Sequence, residues 1–476
     1  MSRASIVIVG GGVSALAAAW ELTGGADGPS ELTPRVEVIE ASVRCGGSLA
    51  TTTFSGRTVD LGADGFLARR PEAVSLVREL GLDDQLEAIA ESGAWLWSRG
   101  QLHELPKGLV LGVPTTLESI LHFRGVSWRG HLAAKRDALA PARLHVGDDA
   151  TIGEITRAKL GRELSYQFIE PMIGGIQAGR IDELSAKSVF PALYAAAQKG
   201  GSLMRALRPT NSSNVNDTTP VFYSLADGVG SLPTHLVTRL KERDVVIRTG
   251  VAVTALRRTP AGSYPLEVDT FATTTPANGV ILATPATVTT SLIGSYDPDL
   301  DALGRIDSAG AAMVTFSILR ANVTLPPRGT GILIPLGTQW SGEGSLMVTA
   351  VTFLDRKWPR LRSDEDVLLR AHVGRSDDAR WSELDDDALA RRVSDELAFL
   401  LPKWSAPTDS LVQRWPLALP QYRVGHDQLV DRARRASVHY GVALAGNSYD
   451  GVGVPASIGS GRRAARDITA LIGGAG

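Results

Sequence analysis

An α/β fold organised around a parallel sheet is what this 476-residue sequence predicts, and three stretches predict it. Near the start, the β-branched run Ser5-Ile-Val-Ile-Val9 passes directly into a glycine turn and then an alanine-rich helix reaching Leu22. Further on, Arg35-Val-Glu-Val-Ile-Glu40 reads as a second strand that ends in an acid. Close to the other end, Val442-Ala-Leu-Ala-Gly446 reads as a buried strand, and Asp450-Gly-Val-Gly-Val-Pro455 opens a helix running to about Ile472.

The first element joins Gly10, Gly11, Gly12, Val13, Ser14 and Ala15 in the strand–turn–helix pattern of a Rossmann-type dinucleotide site. Gly10 permits the tight turn and Gly12 lets a pyrophosphate approach the backbone. The first-turn amides and the helix dipole then offer a place for negative charge. Ala15 stands where the fingerprint asks only for a small packing residue. Glu40, at the end of the second strand, is placed to bind ribose hydroxyls. It lies beyond the usual interval, and the polar segment 24–34 accounts for the excess as a surface loop. The fingerprint alone does not separate one dinucleotide from another.

After the acid, Ala41-Ser-Val-Arg44-Cys-Gly46-Gly47 adds a cation and two glycines, and Asp60-Leu-Gly62-Ala63-Asp64-Gly65-Phe66 supplies a second, flexible turn. Taken alone, Arg44 is equally a solvated charge and Gly46-Gly47 a plain turn. In the last element Pro455 suits a first helical position, where a missing donor costs nothing, so Val452, Gly453 and Val454 sit at a positive helix end. Gly250-Val-Ala-Val253 and Gly279-Val-Ile-Leu-Ala-Thr-Pro285 resemble two further strands of the same domain, which is therefore assembled from separated segments.

The length allows two or three domains and a large interior. A formal net charge of −2 provides no field to hold nucleic acid. The single cysteine, Cys45, cannot form an internal disulfide, and no secretory leader pattern precedes the first strand, so a cytoplasmic setting is expected. The most apolar stretch, Gly279 to Gly294, is interrupted by Pro285 and four threonines and is no spanning helix. At most, contact with a membrane is peripheral. The eight histidines show no metal-ligand spacing, and no metal is expected.

The glycine turn, the Arg44–Gly47 segment and the Asp60–Gly65 turn together resemble the flavin oxidase superfamily, which includes amine oxidases, carotenoid desaturases and porphyrinogen oxidases. Segments unrelated to a nucleotide sharpen the resemblance to the coproporphyrinogen III and protoporphyrinogen IX oxidases of haem biosynthesis. They are Phe66-Leu-Ala-Arg-Arg-Pro71, Leu105-Pro-Lys-Gly108 with Gly112-Val-Pro-Thr115, Glu170-Pro-Met-Ile-Gly-Gly-Ile-Gln-Ala-Gly179 and Asp182-Glu-Leu-Ser185. Leu368-Leu-Arg-Ala-His-Val-Gly374, Arg414-Trp415, Leu419-Pro-Gln-Tyr422 and Gly425-His426 continue the match. Within the family the sequence is more similar to the soluble bacterial branch, which makes coproporphyrin III, than to the membrane-bound protoporphyrinogen oxidases. Ala15, Ala456-Ser457 and a polar loop over 210–220 depart from the pattern.

The resemblance implies FAD, held without a covalent link by Gly10 to Ala15, Glu40, Ala41, Arg44, Gly47, Gly62 to Gly65, Val253, Trp415 and Val452 to Val454. It implies Arg70, Gly174 and Gly175 on the substrate: Arg70 for a propionate, the two glycines as a turn reaching the macrocycle centre. Arg70 is equally well a surface charge beside Pro71. The implied reaction is a six-electron aromatisation in which the flavin takes hydride and oxygen is reduced to peroxide, and no residue is assigned as catalytic base. The implied organisation is an FAD-binding domain from 1–80, 220–290 and 406–476, a helical substrate- or membrane-facing domain over 85–210, and an α+β substrate-binding domain over 291–405. A downstream ferrochelatase is the one protein partner it suggests. Protoporphyrinogen IX is the alternative substrate. Amine oxidases and carotenoid desaturases are the competing enzymes, and a Rab-escort-like binding protein the non-enzymatic reading of the same glycine turn.

Overall fold

The computed structural model describes residues 3–140, 144–208, 219–259, 265–340 and 344–473. Of the polar loop expected over 210–220, residues 210–218 lie outside the described residues. Five parallel strands form the first sheet, in the order 246–248, 35–39, 5–9, 279–282 and 442–444. Side chains alternate across a strand, so Ile6 and Ile8 pack on one face with Leu16, Trp20, Ile458 and Ile468. Val7 and Val9 pack on the other with Val280, Leu282, Leu303 and Val430. Helices on both faces explain why the strands read as continuous apolar runs. The helices Val13–Leu22 and Val454–Gly473 lie so close that a methyl group on Gly461 would meet the Ser14 carbonyl oxygen at 2.0 Å.

A second sheet has seven strands, ordered 409–420, 308–319, 366–373, 348–353, 331–333, 95–98 and 101–104. All neighbours are antiparallel except 331–333 with 95–98. One face packs Ala312, Val314, Phe316, Val351, Ala371 and Val373 against Leu389, Val393 and Leu397 of the helix Asp386–Leu400. The strands expected around Met313–Phe316 and Met347–Phe353 are observed as Ser308–Leu319 and Val348–Phe353.

The third part is helical from Leu117 to Ala206 and buries its own core, including Ile152, Leu160, Phe168, Ile173 and Leu193. Its helix Ile152–Leu164 starts from a Thr151–Glu154 capping box and is kinked at Gly161, φ +77°. A π-helical turn, Ser165–Ile169, then leads into the helix Glu170–Gln177.

The sheets cross the domain boundaries drawn from sequence. Asp409–Pro420 joins Ser308–Leu319 in the second sheet and not the first, and Trp95–Ser98 with Gln101–Glu104 add two strands to that sheet from a region expected to be helical. Ile293, Leu300 and Leu303 pack beneath the parallel sheet. Strand pairing is a long-range choice, which local patterning does not specify.

Candidate active site

The glycine turn is built by three different demands. Gly10 has φ +101°, and a methyl group there would lie 2.5 Å from the Ala283 carbonyl oxygen, so only glycine fits. A methyl on Gly11 would press at 2.9 Å on the Cys45 sulfur and on Glu40 Cβ. Gly12 is different. Its φ is −66°, and a methyl there would meet no atom within 4 Å. The helix that follows has no side-chain cap, so the amides of Val13, Ser14 and Ala15 have no acceptor within it.

Glu40 ends its strand beside this turn. Its carboxylate accepts hydrogen bonds from the Gly11 amide and from the Ser42 amide and hydroxyl. The Gly46 amide donates to the Gly11 carbonyl at 2.8 Å, which lays the 44–47 segment along the turn. Arg44 clips that segment, donating to the carbonyls of Gly47 and Leu49 at 2.9 and 3.2 Å. Ala41 and Gly47 are exposed alongside. Burial, and then the Glu40 charge, push the Cys45 thiol up to about 11, so it stays protonated and unreactive at neutral pH.

Gly250 and Val251 donate to the carbonyls of Ser42 and Glu40. The segment read as one strand is a connection, and Val253 is the first residue of the next strand, Val253–Arg258. At the other helix, Gly453 has φ +100°, and a methyl on it would meet nothing within 4 Å. The loop before it is held by Tyr422, whose hydroxyl donates to the Asn447 carbonyl and accepts from the Gly451 amide at 2.9 Å. Asp450 binds Arg463 at 2.9 Å and also Arg434 and Ser460.

The Asp60–Gly65 turn, expected to be flexible, is pinned. Arg370, 2% exposed, donates to the carbonyls of Asp60 and Gly62, and Trp415 donates its indole N–H to the Leu61 carbonyl at 2.9 Å. Asp64 is paired with Lys357 at 2.8 Å and accepts from Trp358 at 3.2 Å. Burial opposes ionisation of Asp64, yet the charges of Lys357 and Arg370 hold its carboxyl well below the usual range. Burial raises Asp60 to about 6 although it accepts from the Gly230 amide and pairs with Arg360. Gly65 admits no side chain, since a methyl would lie 2.7 Å from Trp358. Ala63 is exposed between these anchors.

Among the residues expected on a substrate, Gly174 and Gly175 stand inside the helix Glu170–Gln177 and not in a turn. The αL residue that ends this helix is Ala178. Gly174 is buried against Arg375, whose guanidinium bonds Glu170 at 3.2 Å, while Gly175 is exposed. Arg70 precedes the helix Pro71–Glu79 with its side chain half exposed and pairs with Glu72 at 2.8 Å.

Arg370, Lys357 and Arg375 were not singled out from sequence. The available signal was a charge inside an otherwise apolar run, as Arg370 stands between Leu369 and Ala371. Two helix N-termini bounded by glycines with open space before them, an acid at a strand end and a pinned turn form a cradle suited to a dinucleotide cofactor.

The family profile of flavin containing amine oxidoreductases matches residues 14–469. The chain is 32% identical over 472 residues to the coproporphyrinogen III oxidase of Bacillus subtilis (strain 168), covering 97% of each. It is 32% identical to that of Mycobacterium leprae (strain TN), covering 99% of this chain and all of the relative. Among solved structures, a provisionally assigned protoporphyrinogen oxidase from Exiguobacterium sp. 255-15 superposes with a TM-score of 0.84 at 29% identity, over 98% of this chain and 99% of that one.

Proposed function

This chain belongs to the flavin containing amine oxidoreductase family, and on that premise we propose that it is an FAD-dependent oxidase converting coproporphyrinogen III to coproporphyrin III in haem biosynthesis, with oxygen as acceptor. The observation that carries the substrate class is end-to-end similarity to coproporphyrinogen III oxidases, running through the second sheet and the helical part as well as the cofactor cradle. A competing amine oxidase reading rests on the shared fold, since putrescine oxidase is 18% identical over 98% of the chain where the coproporphyrinogen III oxidases reach 32%.

The residues divide the work. The open backbone at Gly12 and the amides of Val13 to Ala15 receive the pyrophosphate, and Glu40 the ribose. Gly453 and Val454 present a positive helix end that favours negative charge on the ring system. Asp60 to Gly65, braced by Arg370 and Trp415, fixes the face against which substrate lies. Bound there, the flavin supplies the two-electron acceptor chemistry, so the protein needs no strong nucleophile. Arg70 offers an arginine fork to a rim carboxylate. No described helix is long and apolar enough to cross a membrane. The exposed Trp128 and Leu132 beside Arg129 and Lys135 leave peripheral contact as the form of any membrane association.

The purified protein should be yellow, and acid or heat precipitation should release FAD into the supernatant, because the only thiol, Cys45, is protonated at neutral pH. Anaerobic coproporphyrinogen III should bleach the colour. Colour that stays with the polypeptide contradicts non-covalent binding, and a spectrum indifferent to both porphyrinogens overturns the assignment.

A further inference from the structure

The face of the second sheet turned away from the helix Asp386–Leu400 contains a row of cross-strand neighbours, Gln413, Met313, His372, Ala350 and Leu333. Residues on the opposite face, such as Ala312, Val351 and Ala371, are fully buried, whereas every member of this row is partly accessible. The row is therefore the accessible face of the sheet. The pinned turn bounds that face on one side. Arg370, two residues before His372 and on the same face, grips the Asp60 and Gly62 carbonyls, and Trp415 grips Leu61. The helix Glu170–Gln177 bounds it on the other side, where Leu333 lies 3.9 Å from a methyl placed on Gly175 and Arg375 packs on Gly174. Of the row, only His372 can exchange a proton.

We propose that His372 is the catalytic proton acceptor of porphyrinogen oxidation, a role that rests on the functional reading above. His372 Nε2 lies 3.2 Å from the Thr352 hydroxyl. With Nε2–H donating there, Nδ1 carries the lone pair. Burial, reinforced by Arg370, lowers the imidazole to about 4, so it is neutral and able to accept at physiological pH. In each two-electron step a methylene C–H bond breaks and its hydride leaves to the flavin. As it leaves, an adjoining pyrrole N–H breaks, or in the last step the C–H of the one remaining methylene, its electron pair staying in the ring system so that no cation is left behind, and Nδ1 takes the proton and passes it to solvent. Oxygen, reduced to peroxide, restores the oxidised flavin and closes the balance.

The test compares wild type, His372→Ala and the near-isosteric His372→Gln by anaerobic flavin bleaching with coproporphyrinogen III. Binding of coproporphyrin III to the flavin-free proteins is followed by porphyrin fluorescence. Both variants should bleach about 100-fold or more slowly. Product affinity should stay within a few-fold, and added imidazole should restore part of the rate to His372→Ala. Bleaching in both variants within a few-fold of wild type overturns the role of His372. So does a loss that imidazole leaves untouched while product affinity falls in parallel, since that marks a structural residue. If wild type itself is not bleached, the porphyrinogen reading falls with it, and the wild-type trace alone reveals that.

Discussion

Gly10 and Gly12 stand two residues apart and answer to different forces. Gly12→Val places a side chain in open space at an ordinary backbone angle, so the protein should fold with near wild-type stability. That side chain occupies the space of the pyrophosphate, and flavin content should fall about tenfold or more. Absorbance of the purified variant measures this, and full flavin content would show that the cradle lies elsewhere. Gly10→Ala, by contrast, strains the fold itself. Arg70→Ala removes a half-exposed cation already engaged by Glu72, so its contribution to binding should be about 1 kcal/mol, a several-fold rise in KM with kcat unchanged. An unaltered KM would return Arg70 to the protein surface. Gly12 and Glu40 were legible because a strand, a turn and an acid lie close in sequence. His372 and Arg370 were not, because their meaning depends on which strand lies beside them.

The long strand Asp409–Pro420 leads into the helix His426–Val438, and the junction carries a stack of Tyr422 on His426, ring centres 4.0 Å apart. His426 is 5% exposed, and its Nε2 is buried without a hydrogen-bond partner. Burial lowers it to about 4, with Asp427, Arg434, Asp450 and Asp149 as the nearby charges. An unfolded histidine titrates near 6.5, so between about pH 6.5 and 4 the unfolded chain binds the extra proton and stability falls as pH falls. From pH 8 to pH 5 this group should cost about 2 kcal/mol. His426→Phe keeps the stack and removes the titration, so denaturant unfolding of the variant should lose that much less over the same interval. Equal losses in both proteins would count against a neutral buried imidazole. Helix starts and half-buried strands at this scale followed from periodicity and caps, as with Pro455 and the strand around Met347–Phe353. The resemblance implies a turn at Gly174-Gly175, and glycine disfavours helix, yet both stand inside the helix Glu170–Gln177, with Gly174 packed on Arg375.

For the whole molecule, one parallel sheet receives glycine-bounded helices from both ends of the chain, and a second sheet closes over the turn between them. That architecture was legible as a nucleotide fold. The path of the second sheet was not, since its seven strands come from three separated stretches. The central claim concerns the macrocycle. Coproporphyrinogen III carries four propionates and protoporphyrinogen IX two, so a site for the former gains more from cationic contacts and a wetter pocket. Steady-state kinetics on the two porphyrinogens side by side, with oxygen uptake and peroxide recorded, tests this most directly. The account predicts a higher kcat/KM for coproporphyrinogen III with peroxide formed as oxygen is consumed, and a preference for protoporphyrinogen IX would contradict it.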